Sequence, residues 1–120
     1  MSLVAELGGA IVGHVAVSPV QISDKSADWY GLGPISVEPS LQGQGVGSRL
    51  MEAALKALRN LSAEGCVLLG DPAFYARFGF VVAEKLELPG VPPQYFQALY
   101  FRESAASGVV NYHPAFEAKA

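Results

Sequence analysis

From Ser48 onward the apolar positions recur at three- and four-residue intervals. Leu50, Ala54, Leu58 and Leu61 form one stripe, Met51 and Leu55 widen it, and Arg49, Glu52, Lys56 and Arg59 face away. This spacing predicts an amphipathic helix, with Gly65 as its stop signal. Before the helix the pattern is that of strands. Leu3 to Leu7 and Ala10 to Val17 are β-prone runs around Gly8-Gly9, which predicts a hairpin. Pro19 then marks an edge, a bulge or a strand end, with Val20 to Ile22 as a candidate extension. Ser23 to Asp28 is polar and aperiodic, hence a loop. Trp29 to Val37 reads as the third strand, broken near its middle by Gly31, Gly33 and Pro34, and ended by Pro39.

After the helix, Cys66 to Leu69 is a short apolar strand. A strand, a glycine loop, a helix and a strand in this order require a crossover, so the third strand and Cys66 to Leu69 should run parallel. Asp71-Pro72 opens a second, shorter helix, with aspartate at the N-cap and proline at the first helical position, ending near Gly79. Val81 to Leu88 is expected as one strand, Pro89 to Pro93 as a turn-rich connection, Tyr95 to Phe101 as a strand and Val109 to Tyr112 as a last short one. The tail from Glu117 is expected to fray. No internal repeat or linker interrupts the 120 residues, which suit one domain, residues 1–120, with a single core.

Composition narrows the functional classes. Half the residues are hydrophobic (51%) and only 16% charged, which argues against disorder. A net charge of −3 gives no basic footprint for nucleic acid, so any positive field for a phosphorylated ligand must be local. No apolar run approaches a membrane span, and no basic segment precedes an apolar block at the start; a soluble, cytoplasmic protein is the expectation. Cys66 is the only cysteine, so neither an internal disulfide nor a cysteine-rich metal site can form, and no metal is expected. Within an apolar strand Cys66 reads as a small buried hydrophobe.

The candidate chemistry sits in Gln42-Gly43-Gln44-Gly45-Val46-Gly47, between the third strand and the helix. Three glycines in six residues permit torsions that let several backbone N–H groups converge on one anion, and the helix adds its positive dipole end. Glycines in such a loop also serve turn geometry alone. The dinucleotide fingerprint G-x-G-x-x-G does not fit, and no Walker lysine follows Gly47, so a nucleotide-binding oxidoreductase and a P-loop are both poor matches.

The pattern that fits is Q/R-x-x-G-x-G/A, met by Gln42, Gly45 and Gly47, which resembles the acyl-CoA signature of the GNAT superfamily of N-acetyltransferases. Cys66 to Gly70 is similar to that family's next strand, and Tyr75-Ala76-Arg77-Phe78-Gly79-Phe80 to its Y-x-x-x-G-F block. Gly70 to Phe80, with Tyr112-His113-Pro114-Ala115-Phe116, resembles the YhbS-type branch of small bacterial acetyltransferases. The resemblance implies an α/β (α+β) GNAT-like fold: a mixed, mostly antiparallel sheet of about six or seven strands, two main helices and a central splayed parallel pair. It implies acetyl-CoA (CoA) as cosubstrate and transfer to an amine acceptor. The family begins with a strand and one or two helices that shape the acceptor pocket, whereas this chain starts at the hairpin. Its first strand is then expected to be a sheet edge carrying only Glu6 as charge, with a homodimer through that edge, or a swap that completes the sheet, as the expected remedy.

The same resemblance assigns roles. Gln42, Gly43, Gln44, Gly45, Val46 and Gly47 would grip the pyrophosphate, with Ser48 and Arg49 adding a hydroxyl and a charge, while Ile35 and Val37 offer strand backbone to the pantetheine amides. Arg49 reads equally as a solvated helix charge. Tyr75 would protonate the departing CoA thiolate, since a phenol with a pKa of about 10 stays protonated at neutral pH; it reads also as a core aromatic at helical spacing with Phe74 and Phe78. Asp71 ends the second parallel strand, where such sheets place ligands, and is a candidate general base as well as a cap. His14, Glu6 and His113 are further bases or structural residues. An acyl-CoA-binding module or remnant scaffold without transferase activity is the alternative reading.

Overall fold

The computed structural model describes residues 2–112; His113, the rest of the motif through Phe116 and the tail from Glu117 lie outside the described residues. β1 (Ser2–Leu7) and β2 (Ala10–Ile22) form the expected hairpin, turned by Gly8 and Gly9, which both take positive φ. β2 does not stop or bulge at Pro19 but runs through it, with Pro19 opposite Tyr30. Proline is tolerated there because it falls between the residues of β2 paired to β1, which end at Ala16, and those paired to β9, which start at Val20.

The single strand expected over 29–37 is two: β3 (Trp29–Leu32) and β4 (Ser36–Val37). Both lie along β2, but Gly33 donates its N–H to Ala16 while Ser36 stands opposite His14. Three steps on this strand match two on β2, so one extra residue is accommodated at Pro34-Ile35, a bulge of the kind the glycines and proline predict.

α1 (Val46–Asn60) starts two residues before the expected Ser48, because left-handed Gly45 (φ 85, ψ 5) sets its N-cap. Its end also differs. Ser62 takes the left-handed conformation (φ 59), its N–H donates to the Arg59 carbonyl, and the N–H of Ala63 donates to that of Leu58, both at 3.0 Å. This is a Schellman ending with serine where glycine is usual. Leu61 therefore caps the helix instead of extending its stripe and is 53% exposed.

β5 (Gly65–Leu69) runs parallel to β3, as expected, pairing Trp29 with Gly65 through Gly31 with Val67. α2 (Pro72–Tyr75) continues as a 3-10 turn over Ala76–Phe78 and stops at left-handed Gly79. The segment 81–88 is not one strand. β6 (Val81–Val82) pairs antiparallel with β8 (Phe96–Tyr100), whereas β7 (Leu86–Glu87) pairs parallel with β9 (Gly108–Tyr112). The described sheet thus has nine strands, not six or seven, in the order β6-β8-β5-β3-β2-β9-β7, with β1 and β4 also on β2.

Leu50, Met51, Ala54, Leu55 and Leu58 of α1 cover one sheet face, against Val15, Val17, Leu32, Cys66 and Leu68. At roughly 1.5–3 kcal/mol for each fully buried leucine or methionine, this stripe anchors the helix whose N-terminus carries the glycine loop. The opposite face packs Trp29, Val67, Phe96 and Val110 with Ala83 and Leu86.

Candidate active site

The glycine loop is fixed at both ends. A 3-10 turn, Pro39–Leu41, leads out of β4, and the Gln42 side chain donates to the Val37 carbonyl at 3.2 Å. Gly43 (φ 82) and Gly45 (φ 85) are left-handed, and a Cβ on either would meet nothing within 4 Å. Glycine is thus needed there for its torsions, while the space beside it stays open. Among the described residues no side chain caps α1, and its first backbone bond runs from Arg49 N–H to Gly45 O at 3.0 Å. The six N–H groups from Gly43 to Ser48 consequently donate to no acceptor among the described residues. A row of free amides at the positive end of a 15-residue helix is an arrangement that favours a bound anion.

A cleft of about 600 Å³ opens from this loop, between Ile35 and Val37 on one side and Phe74, Tyr75 and Arg77 on the other. Its floor follows from the topology. The parallel pairing of β3 with β5 ends at Gly31 and Val67, and β4 pairs with β2 alone among the described residues. One edge of the Ile35–Val37 backbone therefore faces the gap, free to pair with an extended amide-bearing ligand.

Tyr75 is held in this cleft by aromatic packing. Its ring lies against Gly70, 4.9 Å from the Phe74 ring and 6.0 Å from that of Phe80, both edge-on. Its hydroxyl has no hydrogen-bond partner among the described residues. Burial first, and the neighbouring Asp71 carboxylate second, push the phenol above its ordinary pKa. The aromatic is thus both packed, as periodicity suggests, and protonated at the cleft. Asp71 accepts the Ala73 N–H at 2.9 Å, the N-cap role read from the sequence.

Not every candidate converges. Gln44 and Arg49 line a neighbouring groove of about 480 Å³ between α1 and β1, together with Glu6. Arg49 thus leaves the cradle although Ser48 beside it lines it; a residue step turns the side chain by about a hundred degrees around a helix. His14 lies opposite Val4 and Ser36 and alternates with Val15, which places it on the sheet face away from α1. Cys66 is fully buried, and burial raises its thiol far above the range in which a thiolate forms. Among the described residues no three His, Cys, Asp or Glu side chains cluster as a metal site would need. Arg77 is the residue that the sequence reading left without a role. Its signal lay two positions after Tyr75, inside the same motif.

Known proteins share this sequence and fold. Residues 2–82 match the model of the acetyltransferase (GNAT) domain family. The N-acetyltransferase YhbS of Escherichia coli K12 is 36% identical over 115 residues, covering 90% of this chain and 68% of YhbS. A GNAT family acetyltransferase from Brucella melitensis, solved in complex with acetyl-CoA, superposes with a TM-score of 0.81 at 47% identity, covering 96% of this chain and 67% of its own. E. coli YhbS in complex with CoA superposes with a TM-score of 0.88 at 34% identity, covering 97% and 68%.

Proposed function

Because this chain belongs to the GNAT acetyltransferase family, we propose that residues 1–120 act as one acetyltransferase domain that moves the acetyl group of acetyl-CoA to a primary amine by direct attack. The observation that carries this reading is the meeting, in one cleft, of the free amides of Gly43 and of Gly45 to Ser48, the open edge of Ile35–Val37 and the protonated Tyr75. The amides suit a pyrophosphate and the open strand edge suits the pantetheine arm. The amine nitrogen bonds to the thioester carbon, the carbon–sulfur bond breaks, and Tyr75 gives its phenolic proton to the leaving thiolate. The nitrogen's surplus proton passes to water, which restores the phenol. Asp71, already a cap, serves this reading best by keeping Tyr75 protonated rather than as a base.

A cytoplasmic location is part of this proposal. The outer edge of β1 has no partner among the described residues, and Val4, Leu7 and Ile11 are exposed on the hairpin, which supports a homodimer through that edge.

The test is calorimetric titration of acetyl-CoA against the native protein and Gly47→Glu, which puts a carboxylate into the cleft beside Ile35 and Val37 at a torsion that admits a side chain, paired with turnover of Tyr75→Phe on an amine panel. Binding lost in the first variant, and kcat lowered about 10²–10⁴-fold with binding kept in the second, is the expected result. Binding without turnover of any amine by the native protein would favour the acyl-CoA-binding module instead.

A further inference from the structure

A cleft built only of amides leaves a polyanion's charge incompletely balanced, and this chain is itself acidic at −3. Among the described residues the one cation lining the cleft is Arg77, since Arg49 turns to the groove beside β1. Arg77 is exposed, and no carboxylate lies within ion-pair distance of it among the described residues. Its guanidinium carbon sits 4.9 Å from the Phe74 ring centre. Stacking on a ring steadies the guanidinium plane without using its N–H donors, so the whole fork stays available. Phe74 is in turn fixed edge-on by Tyr75 and Phe78. The side chain is therefore positioned before any ligand arrives, and its position is tied to that of Tyr75.

We propose that Arg77, held on the Phe74 face, is the phosphoryl-binding cation of this cleft and pairs with a phosphate of CoA. The assignment rests on the acetyl-CoA reading above. CoA carries such chemistry in two places, its pyrophosphate and its 3′-phosphate, and both suit a fork of N–H donors.

The test is titration of CoA and of 3′-dephospho-CoA against the native protein, Arg77→Gln, Arg77→Lys and Phe74→Leu, at two salt concentrations. Arg77→Gln should bind CoA about five- to tenfold more weakly, with a shallower salt dependence, Arg77→Lys should recover part of the loss, and Phe74→Leu should show a smaller loss than Arg77→Gln. If dephospho-CoA is unaffected by Arg77→Gln, the contact is the 3′-phosphate; if both ligands weaken alike, it is the pyrophosphate. Unchanged affinity of Arg77→Gln for both ligands, whether or not its thermal stability falls, overturns the proposal and leaves the acetyl-CoA reading standing. Failure of the native protein to bind either ligand overturns both.

Discussion

The ring of Tyr75 lies so close over Gly70 that a Cβ added to this glycine would overlap its Cε2 atom. Gly70 is also tied from both sides, its N–H donating to the Tyr95 carbonyl at 3.1 Å and its carbonyl accepting from the buried Gln97 side chain at 2.9 Å. The strand cannot retreat easily, so the ring must. Gly70→Ala should therefore shift Tyr75 within the cleft. The expected outcome is a fall in kcat on the order of 10²-fold, the scale of an ångström's misplacement, with acetyl-CoA affinity nearly unchanged. Steady-state kinetics beside calorimetry would read both. A kcat equal to that of the native protein would remove Tyr75 from the proton transfer.

The raised phenol pKa fixes the sign of a pH effect. Burial and the Asp71 carboxylate both disfavour the phenolate, so Tyr75 keeps its proton past its ordinary value of about 10. The kcat profile of the native enzyme should show no falling alkaline limb until pH exceeds about 10. Asp71→Asn retains the cap but removes the charge, so the limb should move downward. An unmoved limb in this variant would mean that a different group supplies the proton.

What could be read in advance was local. The α1 stripe, the hairpin, the Asp71-Pro72 start and the break at Gly33-Pro34 each follow from a few neighbouring residues, and each is present. The glycine loop was legible because positive φ at Gly43 and Gly45 is a property of glycine itself. Errors arose where distant partners decide. Gly65 looks like a helix stop, but its Cβ would come within 2.6 Å of the Trp29 ring, so it is glycine to admit that indole, while Ser62 ends the helix. The run 81–88 reads as one strand, yet its halves answer to β8 and β9, which come later in the chain. Arg49 is adjacent to the glycines in sequence and Arg77 is not, but the helix turns one away and the chain brings the other back.

The revised end of α1 makes a paired stability prediction. Leu58 is completely buried and Leu61 largely exposed, although one periodic stripe contains both. Leu58→Ala should cost about 2–5 kcal/mol by urea unfolding. Leu61→Ala should stay within about 0.5 kcal/mol of the native protein. Equal losses would mean that the helix continues past Asn60 in solution.

The last prediction concerns the end of the sheet away from the cleft. The Glu64 carboxylate accepts from the Trp29 indole N–H at 3.0 Å and from the Ser104 hydroxyl, and Arg102 stands 3.7 Å away. The Ser104 bond, then the Trp29 bond, then Arg102 hold its pKa below the usual carboxylate range. A carboxylate depressed by folding stabilises the fold fully above its unfolded pKa, about 4.3, and loses that contribution as pH falls through the lower folded value. Glu64→Gln keeps the shape and one acceptor but not the charge. At pH 7 it should be less stable by about 1–2 kcal/mol, because bonds to a charged acceptor are replaced by neutral ones. Once the pH has fallen below the folded value of Glu64, both proteins carry an uncharged side chain there, so the two stabilities should converge. Trp29, the only tryptophan, reports unfolding by fluorescence from within the network itself. A difference between the two proteins that persists unchanged into acid would show that Glu64 acts through its shape and not its charge.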